Sequence, residues 1–213
     1  MNQSIKSFVR ARTRLSKLNR FLLNNSPTAS FCKVEHFESF DCDQSSEKRI
    51  LEIGFGDGEN LISSAQNNLH FFFYGVEVYE MGVANILKTM ETNGINNVKI
   101  ILGDVKEVLE KNSVEDYFDE ILIFFPDPWP KRRHNKRRLV SEDFLFEIKK
   151  ILKNDGILII KTDWKDYAEE IEQNVKKVFG RYKRSLDKKL RLITKYEKIA
   201  LKENRKITSF ETY

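Results

Sequence analysis

"RILEIGFGDGENLISS", residues 49–64, decides the fold. The apolar run "RILEI" reads as a strand that stops at Gly54. Glycines recur at 56 and 58, and a segment with helical spacing comes next. Glycines at a strand-to-helix turn accept positive φ and let the backbone approach a ligand. Outward from this unit the alternation continues. "FFFYGVEV" (71–78) is a strand, "EMGVANILKTMETNG" (80–94) a helix closed by Asn93-Gly94, and "NVKIILGD" (97–104) a third strand. A helix is expected near 105–112, then a fourth strand in "FDEILIFFP" (118–126). Ser141 reads as an N-cap, with Glu142 and Asp143 in the first helical turn. That helix is expected to end at Asn154-Asp155-Gly156. "ILIIKTD" (157–163) is a fifth strand, a helix covers about 164–178, and the tail is expected to form strands around a turn at Glu203-Asn204.

Alternating strands and helices with continuous apolar strands imply an α/β fold: a doubly wound, mostly parallel sheet with helices on both faces. The 213 residues suit one domain of this kind, 46–213, preceded by a basic arm and linker over 1–45. The polar stretch 38–48 reads as the linker. Cys32 and Cys42 are the only cysteines and form no CxxC, which argues against a disulfide framework or a zinc site and fits a reducing cytoplasm. No apolar run approaches the ~20 residues of a membrane span, so a soluble protein with no membrane or metal partner is expected.

Net charge is only +5, but its distribution is uneven. Residues 1–34 carry Lys6, Arg10, Arg12, Arg14, Lys17, Arg20 and Lys33 and no acid. A second cluster spans 131–138 and a third runs from Lys176 to Lys206. Any one cluster could be a solvated face, and the first could be a transit peptide. Three together point to a polyanion such as nucleic acid.

In parallel sheets, ligands sit at the carboxyl ends of the strands. The residues there are Gly54 to Gly58, Glu77, Asp104, Asp127 and Asp163. The third glycine of a dinucleotide fingerprint is replaced by Glu59, which disfavours a pyrophosphate. Glu77 can accept from ribose hydroxyls and Asp104 from an adenine amino group. Acids at consecutive strand ends favour a nucleoside cofactor without phosphates, and S-adenosylmethionine is one.

"FFPDPWPKRRHNKRRL" (124–139) comes after the fourth strand. Pro126 and Pro128 restrict the backbone around Asp127 and pre-position its carboxylate. Phe125 and Trp129 offer faces on which a base could stack. Lys131 and the cations beyond it could hold phosphates. The alternative is a proline-rich turn with core aromatics.

The chain resembles the bacterial transfer-RNA guanine-N7 methyltransferases in "LEIGFG", "GVEV", "FFPDPWPKRRHNKRRL", "KTDW" and "TKYE", in family order, and in the arm "SFVRARTRLSK". The resemblance implies a class I methyltransferase domain that uses S-adenosylmethionine to methylate a guanosine in the tRNA variable loop. By motif match it gives Glu52, Gly54, Glu77, Asp104 and Asp127 to the cofactor pocket, with Asp127 also the catalytic residue. Lys131, Asp163, Thr194, Lys195, Tyr196 and Glu197 would contact the substrate, and Arg133, His134, Asn135, Lys136, Arg137 and Arg138 the RNA. Oligomeric state stays open. Other readings are a different base-modifying RNA methyltransferase, a catalytically silent RNA-binding module of the same fold, and a nicotinamide oxidoreductase.

Two Thr-x-x-Glu segments compete in the tail, "TKYE" (194–197) and "TSFE" (208–211). Side chains three apart in a strand point to opposite faces, so a cooperating pair needs a turn or loop. "TSFE" lies too near the end of the chain for a closing strand to come after it. The substrate contact is therefore expected at Thr194 and Glu197, and a final strand at Thr208 to Glu211.

Overall fold

The computed structural model describes residues 15–27, 29–40, 46–186 and 195–213. The chain divides into two compact units, residues 1–114 and 115–213.

The first unit runs α1 (Lys17–Asn25), β1 (Phe31–Lys33), β2 (Lys48–Ile53), α2 (Glu59–Asn67), β3 (Phe71–Glu77), α3 (Glu80–Asn93), β4 (Val98–Leu102) and α4 (Val105–Lys111). Its strands are all parallel, in the order β1-β4-β3-β2. The apolar runs are continuous because Leu51, Phe73, Val76, Ile100 and Ile101 are buried whichever way they point. β1 has no counterpart in the sequence reading, since three residues are too short to show a period. It pairs Phe31 with Ile100 and Lys33 with Leu102. Phe37 and Phe40 are buried behind it, and the buried Tyr74 hydroxyl donates to Phe40 O at 2.7 Å. Part of the stretch read as a polar linker is therefore core.

The second unit runs β5 (Phe118–Phe124), α5 (Glu142–Ile151), β6 (Leu152–Thr162), α6 (Lys165–Phe179), β7 (Tyr182–Leu186), α7 (Lys195–Lys202) and β8 (Thr208–Thr212). A 3₁₀ segment covers Arg132–Arg137. β5 and β6 are parallel, while β8 is antiparallel to both β6 and β7. Ser141 caps α5 as expected, its side chain accepting from Phe144 N at 3.3 Å.

Two expectations are corrected here. α5 ends at Ile151, and Asn154-Asp155-Gly156 lie inside β6. Between the pairs Phe118–Leu152 and Glu120–Ile157, β6 advances five positions while β5 advances two. The turn-forming residues are absorbed as an irregularity in the strand instead of closing the helix. The first expected tail strand is instead helix α7, on which the buried Glu197 and Ala200 sit three apart on one face. The turn at Glu203-Asn204 is present, with Asn204 at φ 53°, and "TSFE" does form the last strand, β8. Among the described residues no helix is long and apolar enough to cross a membrane.

A glycine in the first turn of α3 sets how closely that helix approaches the loop after β2. A Cβ on Gly82 would lie 2.1 Å from Gly56 O. Gly82→Ala is expected to destabilise the protein by about 1–3 kcal/mol in urea unfolding, even though alanine is the better helix former by roughly 1 kcal/mol. A variant of wild-type or greater stability would show that the approach is not tight.

Candidate functional site

The first unit gathers its functional groups at the carboxyl ends of β2, β3 and β4. Gly54, Gly56 and Gly58 all have left-handed φ, 72°, 59° and 75°. Nothing lies within 4 Å of where a Cβ on Gly54 would stand, so the turn is open at Gly54, whereas a Cβ on Gly58 would meet Ile86.

Glu77 ends β3 and is 8% exposed. Its Oε2 accepts from Gly56 N at 2.8 Å, and its Oε1 accepts from Val78 N at 2.7 Å and Tyr79 N at 2.9 Å. With two lone pairs per oxygen, these three bonds leave Oε2 able to accept one more donor. The carboxylate expected to read ribose is thus also the staple of the glycine loop.

Glu52, near the end of β2, is more deeply buried, at 3% exposure. Its Oε2 accepts from Asn60 Nδ2 at 2.8 Å. Burial pushes its pKa up to about 7; the Asn60 bond opposes the rise and the charge of Glu77 adds to it. Asp104 lies just past β4 and caps α4, its Oδ1 accepting from Lys106 N at 3.0 Å. It also lines a cavity of about 350 Å³ with Lys33, Val78, Leu102, Gly103 and Glu107. Neither Asn60 nor Lys33 was singled out from sequence as a site residue. Asn60 is the second residue of a helix whose start was legible, whereas nothing in the sequence sets Lys33 apart from the other cations of the basic arm.

The second unit carries the proline loop after β5. Phe125 and Trp129 both lie at left-handed φ, 52° and 43°, and each precedes a proline. Bulky residues held there store about 1–3 kcal/mol of strain each, which persists only where the surroundings enforce it. Phe125 N donates to Lys161 O at 2.8 Å. The Arg137 guanidinium lies 4.9 Å over the Trp129 ring, and the His134 ring meets it edge-on at 5.8 Å. One Trp129 face expected for a base is therefore covered by Arg137. Asn135 ties the loop down: with its Nδ2 turned inward it donates to Trp129 O and Lys131 O, both at 3.2 Å.

Asp127 stands between these aromatics. It reaches solvent, yet enough protein surrounds its carboxyl that desolvation raises its pKa above the ordinary value. Lys131, Arg133 and Lys136 face solvent, but Arg138 is buried. The His134 pKa is lowered by desolvation and then by the charges of Arg137, Arg133 and Lys131.

Asp163, just past β6, is paired with Arg205. Glu197 is fully buried and paired with Lys161 at 3.2 Å, and Lys161 Nζ lies 4.8 Å over the Phe124 ring. Lys161 is thus engaged within the protein. Arg205 was not singled out, and its spacing from Asp163 carries no sequence signal. Thr194, the side chains of Lys195 and Tyr196, and the arm residues Lys6, Arg10, Arg12 and Arg14 lie outside the described residues.

Comparison with known proteins adds four findings. A family model described as a putative methyltransferase matches residues 46–210. The tRNA (guanine-N(7)-)-methyltransferase of Buchnera aphidicola subsp. Schizaphis graminum is 40% identical over 181 residues, covering 82% of this chain and 76% of that protein. Among solved structures, the 16S rRNA methyltransferase KamB aligns with a TM-score of 0.58 at 12% identity, over 79% of this chain and 88% of that one. Haemonchus contortus phosphoethanolamine N-methyltransferase 2, in complex with S-adenosyl-L-methionine, aligns with a TM-score of 0.56 at 14% identity, over 80% of this chain and 49% of that one. The structural likenesses establish the expected Rossmann-like methyltransferase fold.

The raised pKa of Glu52 has a measurable consequence. The native state holds a proton that the unfolded chain releases near pH 4.5, so Glu52 contributes stability fully below that pH and loses it as pH rises through about 7. Glu52→Gln keeps an acceptor for Asn60 and removes the titration. The variant is expected to gain stability relative to wild type across this window, by roughly 3 kcal/mol at most. Urea unfolding between pH 4 and 8 reads the difference, and a flat difference would mean that Glu52 titrates normally.

Proposed function

The chain belongs to the tRNA (guanine-N(7)-)-methyltransferase family, and from that premise we propose that it transfers a methyl group from S-adenosylmethionine to N7 of a guanosine in the variable loop of tRNA, in the cytoplasm. The observation that carries the reading is Asp127, held in a loop strained at Phe125 and Trp129 and succeeded by exposed cations.

The first unit suits the cofactor. Its donor set is three buried acids around a glycine turn that is open at Gly54. Such a set favours a nucleoside bearing a positive charge over one bearing phosphates. Glu52, Gly54, Glu77 and Asp104 would hold it, with Glu77 offering its remaining lone pair to a hydroxyl. When bound, S-adenosylmethionine supplies an electrophilic methyl on a sulfonium.

Guanine N7 carries a free lone pair at neutral pH, so no general base is required. The protein's work is orientation and stabilisation of the positive charge that develops on the purine. Asp127 can accept from the N–H edge of guanine, which orients the base, and its negative charge opposes the developing cation. Asp163 would share the base contact once Arg205 yields to it. Arg133, Lys136 and Arg137 are assigned to tRNA phosphates, with Lys131 nearest Asp127 in the chain. We assign methyl transfer to residues 46–213 and further tRNA contacts to the basic residues before them, Lys17, Arg20 and Lys33 included.

The direct test is nucleoside analysis of bulk tRNA incubated with protein and cofactor. The expected product is 7-methylguanosine, and a methyl on any other atom overturns the reading. Asp127→Asn keeps the shape and loses the charge. Its single-turnover rate is expected to fall by two orders of magnitude or so while tRNA affinity stays near wild type. An Asn variant with full rate would leave Asp127 a purely structural role.

The exposed cations should supply affinity and not chemistry. Neutralising Arg133 and Lys136 together should raise the tRNA KM with little change in kcat. Each phosphate pairing removed should flatten the log–log salt dependence by ~0.7–0.9. An unaltered slope in the double variant would show that these two cations meet no phosphate.

A further inference from the structure

Arg138 ends the basic run and does not share its exposure. It is 3% exposed, whereas Lys131, Arg132, Arg133 and Lys136 face solvent. Its Nε donates to Pro128 O at 2.8 Å, its Nη2 to Asp166 Oδ2 at 2.8 Å, and its Nη1 to Glu170 Oε2. The guanidinium also lies 4.8 Å over the Tyr167 ring. Asp166, Glu170 and Asn174 are spaced by four and so share one face of α6. Two further bonds hold the next residues to the same helix: Val140 N donates to Tyr167 Oη at 3.0 Å, and Asn174 Nδ2 donates to Val140 O at 2.9 Å. Segment 138–140 is thus laid along α6.

The bond to Pro128 is the one that bears on chemistry. Pro126, Pro128 and Pro130 have no N–H, so the loop around Asp127 has few donors of its own with which to hold its shape. Its carbonyls remain as handles. Asn135 takes those of Trp129 and Lys131, and Arg138 takes that of Pro128, the residue after Asp127. A strained loop keeps its strain only when such restraints over-determine it.

The charges argue against a phosphate role. Two carboxylates face the one guanidinium, so the local cluster carries a net negative charge and repels a polyanion. Burial works against the Arg138 charge, but its bonds to Asp166 and Glu170 more than offset this and raise its pKa. Reaching out to a phosphate would strand Glu170 and the Pro128 carbonyl together.

We propose that Arg138 is a positioning residue, a buried strut from α6 to Pro128 O that fixes where Asp127 points, and not one of the tRNA phosphate contacts. The proposal rests on the catalytic reading of Asp127 above. It separates Arg138 from Arg133, Lys136 and Arg137, whose sequence neighbourhood it shares.

The test compares Arg138→Lys and Glu170→Gln with wild type in single-turnover methylation and in tRNA binding across a salt series. Arg138→Lys keeps the charge and loses the fork. Its kcat is expected to fall on the order of 10- to 100-fold, as for a small misplacement of a reacting group. Its tRNA Kd and salt slope are expected to match wild type. Glu170→Gln should lower kcat in the same direction, and the double variant should lose less than the product of the two losses. A salt slope flattened by ~0.7–0.9 with kcat retained would make Arg138 a phosphate contact and overturn the proposal. So would a wild-type kcat in both variants.

Trp129 emission, read in a Trp164→Phe background, gives a readout free of activity. Arg138→Lys should shift it, because the residue next to Pro128 then loses its restraint. If wild type forms no 7-methylguanosine, the catalytic reading fails on its own. The emission shift then decides the strut alone, and an unshifted Trp129 overturns it.

Discussion

A carboxylate withdrawn from water is costly unless donors or cations meet it, and the first unit withdraws three of them at the ends of adjacent parallel strands. Glu77 is met by three backbone N–H groups, Asp104 by the first turn of α4, and Glu52 by Asn60 and, below about pH 7, by a proton of its own. These arrangements do more than stabilise. The Gly56–Glu77 bond fixes the glycine loop against β3, and the missing Cβ of Gly82 lets α3 come close to the same loop. The loop is therefore shaped by the protein's own contacts, and ligand binding need not supply all of that ordering.

The second unit meets the opposite problem. Its loop after β5 is short of donors, strained at two aromatics, and must still present one acid. Basic side chains solve this in two ways. Arg137 and His134 pack on Trp129, and Arg138 reaches a backbone carbonyl. A run of basic residues can therefore divide its labour by burial: those facing solvent are available to a polyanion, and the one anchored to Asp166 and Glu170 serves the loop.

Much of this was legible in the sequence, because the strands are buried on both faces and read as unbroken apolar runs, and because glycine and proline mark the two loops. Glu77, Asp104 and Asp127 were singled out as candidates from their places at or just beyond the carboxyl ends of strands, and Glu52 from the motif "LEIGFG". The features that were not legible have separate causes. β1 is too short for a period, α7 was masked by a tail that also carries strand-forming residues, and Asn154-Asp155-Gly156 were read as a helix stop when the sheet could absorb them. The pairs Asp163–Arg205 and Lys161–Glu197 join residues 42 and 36 positions apart, and no spacing rule predicts such contacts. Arg138 was grouped with its neighbours because sequence shows charge and not burial.

The proposed reaction explains why acids, and not bases, occupy these sites. A methyl moved from a sulfonium to a neutral purine nitrogen neither creates nor destroys charge: one positive charge leaves sulfur and appears on the base. A protein that stabilised only the starting cation would deepen the ground state and slow the step. Negative charge must therefore await the base as well as the donor, already oriented and partly desolvated, so that it gains strength as the purine becomes positive. The raised pKa of Asp127 shows the tension in that design. Desolvation strengthens its pull on a cation but also favours its protonation, and a protonated Asp127 would offer no charge at all. The exposure it retains limits the rise in its pKa, and the restraints on its loop keep the carboxylate aimed without burying it further.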